Sequence, residues 1–323
     1  MEVIAGSRAL TRRLQHPIVT VGNFDGLHLG HQEIMRVVCA RARALRGEAV
    51  VYTFEPHPRK VLTPERAPAL LTTLDQKLEL LEHLGIDAVI VETFTPEFAR
   101  TPPDRFVREF LYEPLRPREV YVGYDFHFGK DREGSMRQLT ELGPRLGFAV
   151  TIVPEVTVGN RDVNSTRIRQ LIAEGAVEAA AELLGRSFGV RGRIVGGERR
   201  GRGLGFPTAN VEAETEVRPA NGVYAGALRF LDEGVPQRGA SFAAVINVGL
   251  RPTFTSSQRP VVEAHLLDFS GEIYDRRVDL AFCLRLRDER RFPGAAELKE
   301  QIARDVEAAR ERLKGSAPAW ESE

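Results

Sequence analysis

The sequence predicts an α/β domain built on a parallel sheet, followed by a small antiparallel β-barrel closed by one helix. Three observations support this. Strand-like and helix-like segments alternate through the first half. Beyond Gly185 the runs become β-rich and are broken by frequent Gly and Pro. Near the end, Leu298, Ile302, Val306 and Ala309 form an apolar stripe at helical spacing. Alternating strands and helices imply a parallel sheet covered on both faces, whereas short strands with turn residues between them suit a barrel.

Pro17 to Gly22 (PIVTVG) reads as a buried strand. His31 to Leu45 is helical, with Ile34, Val37, Val38 and Ala42 on one face. Ala49 to Phe54 is a strand. Leu74 to Leu84 is a leucine-striped helix ended by Gly85. Ile86 to Val91 is a strand, Pro103 to Leu111 a helix, and Glu119 to Gly123 and Phe148 to Val153 are strands. Two short helices, Asn164 to Ala173 and Ala176 to Leu184, precede the change of pattern. The barrel strands are Phe188 to Val195, Gly222 to Phe230, Phe242 to Val248, Val261 to Asp268 and Val278 to Leu286. Ala295 to Leu313 closes the chain, and the tail SAPAWESE is expected to be disordered. A length of 323 residues exceeds what one core usually supports, which gives domains at 1–184 and 185–315 and a tail at 316–323.

Composition excludes several classes. Lys plus Arg equals Asp plus Glu, 45 each, so no global field points to nucleic acid or a membrane surface. No apolar run approaches the ~20 residues of a membrane span, and the N-terminus lacks a signal-like apolar region. Cys39 and Cys283 stand far apart in apolar runs, as reduced core residues do, and no Cys/His cluster suggests zinc. A cytoplasmic protein is expected.

The first chemical signal is VTVGNFDGLHLGHQEI, Val19 to Ile34. A strand ends at Gly22, and Asn23, Phe24, Asp25 and Gly26 make a turn. His28 and His31 then flank the start of a helix, where free N–H groups and the dipole attract anions. Gly30 allows a polyphosphate close to the backbone. The arrangement suits triphosphate binding and charge stabilisation at the α-phosphate; as an alternative, both histidines merely cap a helix. No P-loop motif is present. His57 (in TFEPHP), Asp125 (in VGYDFHFGK) and Ser165, Thr166 and Arg169 (in NSTRIR) follow strands or open a helix at positions where ligands bind.

The second signal starts at Gly192, GRIVGGERRGRGLGFPTAN. Its glycines, among them Gly201, Gly203 and Gly205, can fold N–H groups around phosphates while Arg199, Arg200 and Arg202 neutralise charge; a solvated basic loop is the alternative. Phe206 and Pro207 adjoin Thr208 and Asn210, two residues apart and hence on one side of an extended segment. Their oxygens suit Mg²⁺ bridging nucleotide phosphates. NVGLRPTF (Asn247 to Phe254) and VEAHLLDF (Val262 to Phe269) follow, with Glu263 and His265 on one strand face. A carboxylate there can take the proton of an attacking hydroxyl.

The HLGH segment resembles the HxGH of the nucleotidyltransferase superfamily. Together with TFEPHP, VGYDFHFGK and NSTRIR it resembles the FMN adenylyltransferase module of bacterial bifunctional riboflavin kinase/FAD synthetases, over residues ~15 to 184. The ordered set of glycine-rich loop, GFPTAN, Pro219 to Tyr224, NVGLRPTF and VEAHLLDF resembles the riboflavin kinase module, over ~185 to 313. The resemblance implies a Rossmann-like nucleotidyltransferase sheet and a kinase barrel. It implies His28 and His31 on ATP phosphates, with Gly22, Asn23, Phe24, Asp25, Gly30, Ser165, Thr166 and Arg169 around them. His57, Asp125 and Arg251 become candidate flavin contacts, Thr208 and Asn210 the Mg²⁺–ATP ligands, and Glu263 the catalytic base. Expected substrates and products are riboflavin, FMN, FAD, ATP and pyrophosphate, with Mg²⁺ and no permanently bound cofactor. His127 stands where members often carry Arg, Ser135 near a usual acidic or amide position, Asn164 for a common Ser, and Ile273-Tyr274-Asp275 for a usual Tyr-Gly turn. Two rivals remain at this point: another HxGH adenylyltransferase, whose C-terminal motifs would go unexplained, and a flavin-binding regulator without turnover.

Overall fold

The computed structural model describes residues 1–159, 161–196, 205–234, 236–250, 260–314 and 320. These form two compact units, Met1–Ala69 with Leu74–Val163, and Leu70–Thr73 with Asn164–Glu323.

In the first unit, β1 (Glu2–Ile4), β2 (Ile18–Val21), β3 (Ala49–Glu55), β4 (Ala88–Thr93), β5 (Glu119–Gly123), the short β6 (His127–Phe128) and β7 (Gly134–Ser135), and β8 (Ala149–Val153) follow in chain order. The main sheet runs β1-β4-β3-β2-β5-β8, all parallel, and β6 pairs with β7 as a separate hairpin. The chain winds from β2 outward to β3 and β4, then returns to the other side at β5. The carboxyl ends of β2 and β5 are therefore the switch point where open α/β sheets bind ligands.

Strand side chains alternate between two cores. Val19, Val21, Val50, Tyr52, Ile90 and Val120 enter one, with Phe106, Val107, Phe110 and Leu111 from the helical stretch 103–115. Ile18, Val51, Val89 and Tyr121 enter the other. There they meet Ile34, Met35 and Val38 of helix α1 (Leu29–Ala44), and Leu80 and Leu81 of a helix at Leu74–His83. Each such burial contributes about 1.5–3 kcal/mol.

Three differences from the sequence expectation have local causes. The helix expected from Pro103 to Leu111 continues to Leu115 and widens to a π-helix over Phe106–Tyr112. Pro114 has no N–H to give the preceding turn and crowds the carbonyl at position 110, so the wider turn relieves it. β1 has two exposed residues of three and so little apolar pattern. The helix Met136–Leu146 carries Gly143 and Pro144, which mask it as a loop.

The second unit does not include the hairpin of β9 (Thr157–Val158) with β10 (Arg161–Asp162), which belongs to the first. Its own barrel comprises β11 (Phe188–Val195), β12 (Ala209–Ala213), β13 (Gly222–Phe230), β14 (Ser241–Leu250), β15 (Pro260–Leu266) and β16 (Arg277–Arg287). It closes as β11-β12-β15-β14-β13-β16 with antiparallel pairing throughout. The helix Ala295–Arg312 covers part of the outer face, packing Val306 and Ala309 on Val223, Ala225 and Val245. Arg191, Asp279 and Arg229 oppose one another across β11, β16 and β13. Arg191 is 1% exposed and donates to both oxygens of Asp279 at 2.8 Å.

The helices Ser165–Ala173 and Val177–Leu184 pack within this same unit. The Arg285 N–H donates to Glu178 and its guanidinium to the Glu174 carbonyl. Gly175, at φ 78°, admits that guanidinium where a Cβ would lie 2.4 Å from Arg285 Nη1. Both cysteines are free; Cys39 is buried, as expected, while Cys283 is half-buried. Of the tail at 316–323, only Trp320 is among the described residues. The Arg229 guanidinium lies 4.8 Å from its ring centre.

Candidate active sites

The chain leaves β2 at Val21 and turns at once. Gly22 is required, because a Cβ would lie 2.8 Å from the Phe24 ring. Phe24 and Leu27 take left-handed backbone, φ 49° and 40°. His28 then caps α1, its Nδ1 accepting from the His31 N–H at 3.4 Å. The two imidazoles stack with centroids 3.6 Å apart and an interplanar angle of 19°. A Cβ on Gly30 would come 3.2 Å from His28 Nδ1, so glycine keeps the space beside the pair open. The predicted neighbours converge: the His pair, the α1 N-terminus and the Gly22–Asp25 turn form one site at the sheet's switch point.

His31 Nδ1 is buried without a hydrogen-bond partner among the described residues. Such an atom costs about 1–3 kcal/mol until a ligand satisfies it. Burial, with His28 and Lys77 beside it, holds the His31 pKa well below the ordinary imidazole range. The ring is therefore neutral at pH 7. The native state resists a proton that the unfolded chain accepts below about pH 6.5. Stability of this unit is complete above that pH and falls on acidification, by up to about 1.4 kcal/mol per pH unit from this group. Denaturant unfolding of this unit between pH 7.5 and 5 should show the loss, and His31→Gln should flatten it.

Two further loops leave the same edge of the sheet. His57 follows β3 and caps the short helix Pro58–Leu62, accepting from the Arg59 N–H at 3.2 Å. Asp125 follows β5, exposed, in a turn closed by the Phe126 N–H on the Gly123 carbonyl at 3.1 Å. Aromatic rings join these loops: Phe54, Phe94, Phe98, Phe106, Phe126 and Phe128 form a chain of edge-to-face, tilted and stacked contacts. The atypical residues keep local jobs. Arg132 leans on His127 at 3.2 Å. Ser135 caps Met136–Leu146, accepting from Gln138 at 3.3 Å. Asn164 caps Ser165–Ala173, accepting from the Arg167 N–H at 2.9 Å. Ser165, Thr166 and Arg169 occupy the opening turns of that helix, in the second unit.

On the barrel, Asn210 of β12, Glu263 of β15 and Asn247 of β14 oppose one another directly. They form one polar row on the outer face, because the adjoining row, Ala209, Ala264, Ile246 and Tyr224, is buried inside. Thr208 immediately precedes β12, two residues from Asn210. His265 shares the Glu263 face and donates from Nδ1 to the Pro207 carbonyl at 2.8 Å, with its ring edge-on to Phe206 at 5.4 Å. This ties the Gly205–Thr208 approach to β15. Gly201, Gly203 and Arg251 lie outside the described residues. Among the described residues no cluster of three His, Cys, Asp or Glu could hold a metal. The Thr hydroxyl and Asn amide oxygen fit a hard ion shared with phosphates.

Two residues beside these sites are not singled out from the sequence. Asn247 sits in NVGLRPTF, and only the strand register reveals that it opposes Glu263. Lys77 lies on the apolar side of its helix with Leu80 and Leu81, is 6% exposed and donates to the Asn23 carbonyl at 2.9 Å. A lysine at an apolar helix position was the available signal.

Comparison with known proteins agrees with both halves. Residues 11–167 match the FAD synthetase family model and residues 184–313 the riboflavin kinase family model. A bifunctional riboflavin kinase/FMN adenylyltransferase of Haemophilus influenzae is 37% identical over 310 residues, 96% of this chain and 98% of its own. One from Escherichia coli is 36% identical, covering 99% of this chain and 100% of its own. A crystal structure from Streptococcus pneumoniae, described as a macrolide-efflux protein, superposes with a TM-score of 0.84 at 28% identity, over 95% of this chain and 98% of that one. Among the described residues no helix is long and apolar enough to cross a membrane. With one family model on each half and relatives matched over almost their whole length, the chain belongs to the bifunctional riboflavin kinase/FMN adenylyltransferase family.

Proposed function

We infer that the barrel phosphorylates riboflavin to FMN and that the parallel-sheet unit adenylylates FMN to FAD. The observation that carries this is the pair of unlike phosphate-directed sites: stacked histidines at a helix N-terminus, and a carboxylate held between two carboxamides on a barrel face.

In the first reaction Glu263 takes the proton of the riboflavin 5′-hydroxyl as that oxygen attacks the γ-phosphorus of ATP, and ADP leaves. Thr208 and Asn210 would hold Mg²⁺ with the nucleotide phosphates, where the ion neutralises charge on the transferring group. Phe206 and Pro207, tied back by His265, border the nucleotide, with Gly205 near its phosphates; the phosphate and flavin roles expected of Gly201, Gly203 and Arg251 fall on residues outside those described. In the second reaction an FMN phosphate oxygen attacks the α-phosphorus of ATP and pyrophosphate leaves. Neutral His31, His28 and the N–H groups at the start of α1 offer donors to the charge that develops there. Gly22, Asn23, Phe24, Asp25 and Gly30 shape the phosphate turn, and Ser165, Thr166 and Arg169 stand as candidate anion contacts at the start of their own helix. The aromatic chain between His57 and Asp125 suits a flat ring system. Free thiols and soluble nucleotide substrates favour action in the cytoplasm.

The boundary between activities falls near Gly185, but Asn164–Leu184 packs with the barrel. A fragment of residues 164–323 should therefore convert riboflavin to FMN at a rate within about threefold of the full chain, and make no FAD. Chromatography of products with riboflavin or FMN as sole acceptor, with ATP and Mg²⁺, tests both assignments. A full chain that binds riboflavin unchanged would favour a regulator instead.

A further inference from the structure

Lys77 is a buried amine that neither reaction above uses. Its helix, Leu74–His83, packs Leu80 and Leu81 into the core that also holds Phe24, Leu27, Ile34 and Met35. Placing an ammonium there is costly unless specific groups receive it. The structure shows what receives it. Lys77 Nζ donates to the Asn23 carbonyl at 2.9 Å, and the wholly buried Thr53 hydroxyl donates to the same oxygen at 3.3 Å. Burial lowers the Lys77 pKa, while Asp25 and Glu55 oppose that by favouring the charged form. The amine thus sits behind the phosphate turn, among Asp25, Glu55 and His31, with His28 stacked on the last of these.

Two donors on one carbonyl fix the orientation of that peptide. A trans peptide is planar, and its C=O and N–H point to opposite sides. With the Asn23 oxygen held toward Lys77 and Thr53, the Phe24 N–H is directed away from them. Phe24 at φ 49° would otherwise relax toward commoner backbone angles.

We propose that Lys77 is a positioning residue for adenylyl transfer, pinning the Asn23–Phe24 peptide so that the turn presents its N–H to the nucleotide phosphates. This rests on the adenylyltransferase site assigned above. Its charge also sits beside His31 and favours the neutral ring.

The test uses the full chain. Lys77→Met keeps the length of the side chain and removes donor and charge. Its kcat/KM for FAD formation from FMN and ATP should fall at least tenfold, while riboflavin phosphorylation stays within twofold. The pH at which His31 protonates, followed by NMR of the imidazole, should rise, because the charge beside the ring is lost while the methionine side chain still keeps water from it. Thr53→Val removes the second donor to the same carbonyl; it should lower kcat/KM at least threefold and leave the His31 titration in place. A folded Lys77→Met chain with kcat/KM within twofold of wild type overturns the inference. If Lys77→Met does not fold, Thr53→Val decides, and full FAD formation by that variant overturns it. A wild-type chain unable to make FAD would instead defeat the underlying site assignment.

Discussion

Replacing Glu263 by Gln is expected to lower FMN formation from riboflavin by about 10²–10⁴-fold, the usual contribution of a positioned general base, and to leave FAD formation from supplied FMN within twofold of wild type. Gln matches Glu in size and polarity and can take the same place opposite Asn210 and Asn247 across the sheet. The polar row on the outer barrel face therefore survives, and Val262 and Ala264 keep their buried places. What the variant lacks is a group able to accept the hydroxyl proton. Initial rates measured with each acceptor in turn separate the activities. Loss of both would mean that Glu263 supports the whole fold; retention of both would remove it from the chemistry. Glu263→Ala should lose the same reaction, with added loss of stability from the broken row.

The legibility of this row shows where sequence reasoning succeeds. Phe188–Val195 stands out because its apolar residues alternate, and Gly222–Phe230 because it is an almost continuous apolar run, each bounded by Gly or Pro. Ala209–Ala213 does not: it is short, follows the glycine-rich segment and carries Asn and Glu on its outer face. Its motif nevertheless marks Thr208 and Asn210, since chemistry rather than burial selects those residues. Asn247 needs three-dimensional register, because the pairing partner is 16 residues away along the chain and no local pattern encodes it. Boundaries shift for similar reasons. Asn164–Leu184 reads as the end of the first domain, yet Arg285 reaches back to Glu174 and Glu178 and joins these helices to the barrel. Such long-range polar contacts leave no periodic trace. Lys77 is the converse case. A charged residue at an apolar helix position is visible in the sequence, but only the structure reveals the carbonyl that receives it.

Replacing His28 by Ala is expected to reverse the Glu263 outcome: FAD formation falls by about 10²–10³-fold, the range for losing one preorganised donor to a developing oxyanion, while FMN formation is kept. The competing explanation is capping. His28 Nδ1 accepts from the His31 N–H at the first turn of α1, and losing a cap typically costs about 1 kcal/mol. His28→Asn separates the two. Asn is among the best capping residues and can replace that contact, but it lacks the ring that stacks on His31 at 3.6 Å. If capping were the role, Asn would restore FAD formation along with stability. If the imidazole faces phosphate, Asn restores the unfolding midpoint and leaves FAD formation impaired. His31 sharpens the distinction, because its buried Nδ1 already lacks a partner among the described residues and removing its stacked neighbour admits water to it. The His31 pKa should then move toward the ordinary imidazole value in His28→Ala, as the desolvation that depresses it is relieved. A His28→Asn chain with wild-type FAD formation would show that this histidine only starts a helix.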